Sequence, residues 1–70
     1  MRTSLRKRFG KRVAALRKAA ELTQEELVDR CGFARSYMSR IESGKANPSL
    51  DAIETLADGL KVPVKALFED

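Results

Sequence analysis

Apolar residues recur at intervals of three and four along most of this chain, and that spacing predicts helices. Leu5, Phe9, Val13, Leu16 and Ala20 mark one face of a first helix, from about Ser4 to Ala20. Gly10 weakens it locally, by up to about 1 kcal/mol relative to alanine. Thr23 and Glu26 form a Thr-x-x-Glu capping box, so a second helix starts at Gln24 and ends at Cys31. Leu27, Val28 and Cys31 are its apolar stripe, and Gly32 follows where a helix end requires a positive φ. A third helix spans Arg35 to Ser43 and stops at Gly44; Lys45 to Pro48 form a loop. Ser49 caps a fourth helix, with Asp51 well placed in its first turn and Leu50, Ile53, Leu56, Ala57 and Leu60 as its buried face. Pro63 suits the first position of a short fifth helix that ends near Phe68. No stretch alternates with the strand period, so the expected class is all-α.

The third helix has two unlike faces. At about 100° per residue, Ala34, Met38 and Ile41 fall together with Tyr37 at their edge. Arg35, Ser36, Ser39, Arg40 and Ser43 fall opposite. A slim helix with two arginines and three hydroxyls facing outward suits a narrow anionic groove. Arginine offers guanine O6 and N7 two donors at once, which makes Arg35 the first choice for reading a base edge. Ser36 and Ser39 bond base edges or phosphate, and Arg40 reads a second base or clamps the backbone. Gln24 opens the second helix, where its amide and the free backbone donors suit a phosphate. The Tyr37 hydroxyl reaches a phosphate, or the ring packs inward; its wheel position fits both.

The chain resembles the lambda-repressor-like (Cro/cI, Xre-type) helix-turn-helix domain. The residues that carry the likeness are Leu16-Arg17, Leu22 to Leu27, Gly32, Ser36 to Gly44, Asn47 to Leu50, Leu56-Ala57 and Leu60, within residues 9–68. The resemblance implies five helices, with the helix-turn-helix motif at helices two and three, about residues 24–43. It also implies recognition of specific double-stranded DNA sites, usually as a dimer, and control of transcription. It places backbone contacts at Ser43, Lys45 and Asn47, lets Gln24 brace a recognition-helix side chain, and pairs Arg17 with Glu42 as an architectural ion pair. Two residues depart from the family pattern. Val28 replaces the usual alanine at the close approach of the motif helices, and Ala34 replaces the Ser or Thr that caps the recognition helix.

Composition supports one small domain over residues 1–70. A chain of 70 residues buries only about 60% of the surface its unfolded form exposes, so an oligomer helps it. Residues 1–42 carry eleven Lys or Arg against five acids, a surplus of six, and residues 43–70 carry three against five, a deficit of two. Eight of the fourteen basic residues lie in the first eighteen positions, with no acid among them. Arg6, Lys7 and Arg8 crowd a helix start whose dipole disfavours cations, a cost that attraction to phosphate offsets. The single cysteine, Cys31, reads as a small apolar residue, and its lack of a partner suits a reducing cytoplasm; a DNA-binding role places the expected location at the nucleoid. No membrane segment is expected.

An enzyme reading finds little to stand on. The chain has no histidine, no cysteine cluster and no Gly-rich phosphate loop, and no cofactor or metal is expected. The expected function is a sequence-specific transcriptional regulator, a dimeric repressor or controller of a small operon on a (pseudo)palindromic operator. No small-molecule effector is expected. The dimer surface is expected at Val62, Val64, Leu67 and Phe68, which are more apolar than so short an element can cover beneath itself. The alternative is an antitoxin-type interaction module with secondary DNA binding.

Overall fold

The computed structural model of the protein describes residues 4–69, so Arg2 of the basic front and Asp70 lie outside it. Among these residues there are four α-helices and no strand: α1 Leu5–Ala19, α2 Gln24–Cys31, α3 Arg35–Glu42 and α4 Leu50–Leu60. The fifth helix expected from Pro63 is instead a 3-10 helix, Val64–Phe68. Pro63 precedes it in an extended conformation, and the Ala66 N–H donates to the Pro63 carbonyl at 2.9 Å, the tighter i to i+3 pattern. Five residues leave too few turns for the i to i+4 ladder to become established.

Local chemistry sets most helix ends. Ser4 accepts from the Lys7 N–H, and Ser49 from the Ala52 N–H. In α2 the Thr23 hydroxyl accepts from the Glu26 N–H at 3.1 Å, and the Thr23 N–H donates to the Glu26 carboxylate at 2.8 Å. These bonds hold the Glu26 carboxyl below the usual carboxylate range, the Thr23 N–H contributing most. Their contribution to stability is therefore complete at neutral pH and is lost only as pH falls through that lowered value. Gly32 ends α2 at φ 72°, and its N–H reaches the Val28 carbonyl at 2.7 Å. Ala34 is the N-cap of α3 and makes no side-chain cap bond. Replacing it with serine is expected to raise stability by roughly 1 kcal/mol. Thermal unfolding that stays put or falls would show that the open amide already has a partner.

The helices close around one core, in which Val13, Leu27, Met38, Leu56 and Leu67 are fully buried. Val28 and Met38 are both buried where α2 meets α3, so the bulkier valine is accommodated inside the core. The Cys31 thiol lies half-buried, 3.7 Å from the Thr55 carbonyl, and burial pushes its pKa up. Three expected core positions are exposed, Leu50 at 83%, Leu5 at 57% and Ala20 at the end of α1, and Leu16, Cys31 and Ile53 are only half-buried. The inward face of α4 is set by Ala52, Leu56, Ala57, Gly59 and Leu60. Leu50 lies on the same side as buried Ala57, seven residues on, but it is the first residue of α4 and stands beyond the packed stretch. Leu5 occupies the first turn of α1, where that helix overhangs the core.

Gly10 has a role that propensity does not reveal. It is buried, and a Cβ placed on it would lie 2.3 Å from the Ile41 carbonyl oxygen and 2.7 Å from that of Glu42. Backbone of α1 thus runs directly against the last turn of α3. The missing side chain lets the two helices cross this closely.

Candidate nucleic-acid interface

Burial of Met38 and Ile41 turns the opposite face of α3 outward. Arg35, Ser36, Ser39 and Arg40 are all exposed there. Beyond α3 the chain folds back on itself: the Arg40 carbonyl accepts from the N–H groups of Lys45 and Ala46 at 2.8 and 3.1 Å and from the Ser43 hydroxyl at 3.2 Å. Ala46 is buried by this turn, while Ser43, Lys45 and Asn47 remain exposed. The stem of Lys7 lies against Gly44, so the basic start of α1 borders the same end of α3. Tyr37 is half-buried, its ring edge-on to Phe33 with centroids 5.1 Å apart.

A chain of polar contacts ties α3 to α1 and α2. Arg17 donates from Nε to Glu42 Oε2 at 2.8 Å, from Nη2 to Glu42 Oε1 at 3.1 Å, and from Nη1 to the Leu22 carbonyl at 2.8 Å. Both side chains are nearly enclosed, at 12% and 9% exposure. The hydrogen bonds that Arg17 donates to Glu42, and the charge of that carboxylate, raise the Arg17 pKa against the opposing effect of burial, so this cation stays charged. Gln24 Nε2 donates to the same carboxylate at 3.1 Å, and Gln24 Oε1 accepts from Arg35 Nε at 3.1 Å. Only this amide orientation serves both neighbours, oxygen toward the cation and nitrogen toward the carboxylate. Arg35 Nη1 also donates to Glu25 Oε1 at 2.8 Å.

The structure therefore brings together Gln24, Arg35, Arg17 and Glu42 in one network, and gathers Ser36, Ser39, Arg40, Ser43, Lys45 and Asn47 around the exposed face of α3. Val62, Val64, Leu67 and Phe68 lie at the chain's far end. Leu67 has no exposed surface and closes the core of its own chain, so it offers nothing to a second copy, contrary to expectation. Val62 is half-buried, Val64 and Phe68 are 44% and 48% exposed, and the Phe68 ring stands 5.2 Å from that of Phe9. Sequence reasoning missed Glu25 and the bordering of Lys7 on α3. The first had only its place beside Gln24 as a signal.

Two short helices joined by a glycine-ended turn, the second offering a basic and hydroxyl face, define a helix-turn-helix DNA-binding regulator. The pattern of the helix-turn-helix domain family matches residues 8–68, and this chain belongs to that family, in its lambda-repressor-like, Xre-type form. Control protein C.BamHI of Bacillus amyloliquefaciens is 37% identical over 70 residues, covering 99% of this chain and 86% of that protein. The immunity repressor protein of Bacillus phage phi105 is 40% identical over 58 residues, 83% of this chain. The match spans only 40% of that repressor's length. The crystal structure of the restriction-modification controller protein C.AhdI from Aeromonas hydrophila superposes with a TM-score of 0.87 at 40% identity, covering 89% of this chain and 94% of that one. No helix of the described residues is long and apolar enough to cross a membrane.

Proposed function

We propose that the protein binds specific double-stranded DNA sites through the exposed face of α3 and regulates transcription, as a repressor or as a controller of a small operon. The observation that carries this is the exposure of Arg35, Ser36, Ser39 and Arg40 on one side of a helix whose other side is core. Arg35 reads a base edge; Ser36, Ser39 and Arg40 complete the groove contacts. The N-terminus of α2 with Gln24, the Tyr37 hydroxyl, and Ser43, Lys45 and Asn47 meet the flanking phosphates. The names of the relatives, a control protein and an immunity repressor, support both regulatory outcomes.

One α3 spans only a few base pairs, so the reading includes a homodimer on a (pseudo)palindromic operator, its recognition helices about 34 Å apart. Its surface is the apolar patch of the short helix after α4, exposed Val64 and Phe68 with half-buried Val62, and exposed Leu5 stands beside Phe68. Burying this patch between two copies also adds core to a small domain.

Binding measured on a preferred duplex and on unrelated duplexes, at several salt concentrations, tests the assignment. Arg35→Ala is expected to cost about 1–3 kcal/mol at the preferred site and to relax selectivity at one base pair. Lys45→Ala is expected to weaken all duplexes alike and to flatten the salt dependence by about one phosphate's worth. Unchanged preference among sites in Arg35→Ala would remove Arg35 as the reader.

A further inference from the structure

We propose that Glu25 is a specificity-determining positioning residue, which orients the Arg35 guanidinium for a base edge and keeps it from wandering onto the DNA backbone. The proposal rests on the duplex-binding reading above and assigns a role to a side chain that contacts no base. Arg35 begins α3 and Glu25 sits in the first turn of α2. The guanidinium is planar and carries five N–H donors. It is held at two points: Nε by Gln24 Oε1 at 3.1 Å, and Nη1 by Glu25 Oε1 at 2.8 Å.

Held at one point, the long arginine side chain still swings about its contact. Held at two, its plane is fixed. Gln24 alone supplies one point, and it is anchored in turn through Glu42 to Arg17. Glu25 supplies the second. Two of the five donors are then engaged and three remain, two of them on Nη2. That is enough for a paired contact with guanine O6 and N7 without releasing either brace.

Charge works in the same direction. Arg35 and Glu25 are 58% and 73% exposed, so the pair contributes little to folding. At a groove its effect is larger. A free arginine at this position would bond any nearby phosphate, and so would strengthen binding to every duplex alike. Glu25 already satisfies that charge, and its own carboxylate repels the backbone. A duplex gains from Arg35 only by offering a base edge where the braced guanidinium points. Suppressing binding to the wrong partners raises selectivity as effectively as adding contacts to the right one.

Glu25→Gln tests this in the full chain, with binding measured on a preferred and an unrelated duplex. Selectivity is expected to fall roughly tenfold, with the unrelated duplex bound more tightly and the preferred one bound no better. The salt dependence on the unrelated duplex is expected to steepen by about one counterion, because the freed arginine reaches a phosphate. Placed on top of Arg35→Ala, the same change should strengthen both duplexes equally and leave selectivity where it was. Selectivity unchanged by Glu25→Gln alone, or lowered to the same extent when Arg35 is already alanine, would overturn the proposal. A wild-type chain that binds duplexes without preference would overturn the regulator reading itself, and it is distinguished before any variant is made. Thermal unfolding of each variant, expected to match the wild type, separates this result from misfolding.

Discussion

Glu42→Ala is expected to remove about 2–3 kcal/mol of stability, because it leaves the largely enclosed Arg17 cation without its counter-charge. The pair itself adds little net energy, since both ions give up water to form it. Breaking it is another matter. The Leu22 carbonyl would remain as the only acceptor for a guanidinium that now makes three hydrogen bonds. Total stability for a chain of this size is only about 4–10 kcal/mol, so the variant stands close to unfolding. Urea denaturation measures the loss. A decrease below about 1 kcal/mol, the range of an exposed pair, would show that water reaches Arg17 and that the network does not hold α3 in place.

Gly10→Ala is the second large effect, and its sign opposes helix propensity. In an exposed helix interior this change stabilises, by up to about 1 kcal/mol. Here the new Cβ would meet the Ile41 and Glu42 carbonyl oxygens at 2.3 and 2.7 Å, both of them backbone atoms. No rotamer change relieves that contact; α1 must move away from α3. The expected loss is about 3 kcal/mol, at the upper end for overpacking, and it outweighs the propensity gain. Because α1 and the end of α3 would separate, DNA binding is expected to weaken along with stability. A melting temperature equal to or above that of the wild type would mean that the two helices cross less tightly than described.

Much of the fold was legible in the chain because local rules decide it. The Thr23–Glu26 box, Gly32 at positive φ, and Ser49 as a cap each follow from chemistry within four residues. The split between Met38 and Ile41 inside and Arg35, Ser36, Ser39 and Arg40 outside follows from helical period alone. What was not legible depends on neighbours distant in sequence. Leu50 matched the apolar spacing of α4, yet it opens the helix, ahead of the packed positions that begin at Ala52. Leu67 and Phe68 read alike as apolar, and only the closed core separates a fully buried side chain from a half-exposed one. Gly10 looked like a weak point in a helix and is the site of a backbone crossing. Glu25 looked like any exposed acid in a first turn, where it favours the helix dipole, and its contact with Arg35 requires the angle between two helices to be known.

Contact between the exposed face of α3 and duplex DNA can be followed residue by residue through amide chemical shifts recorded during titration with a selected duplex. The largest changes are expected at Arg35 to Arg40, at the start of α2 around Gln24, and at Ser43 to Asn47, fading together as salt is raised between about 50 and 200 mM. A saturable complex in which Arg35 to Arg40 remain unmoved would contradict that contact.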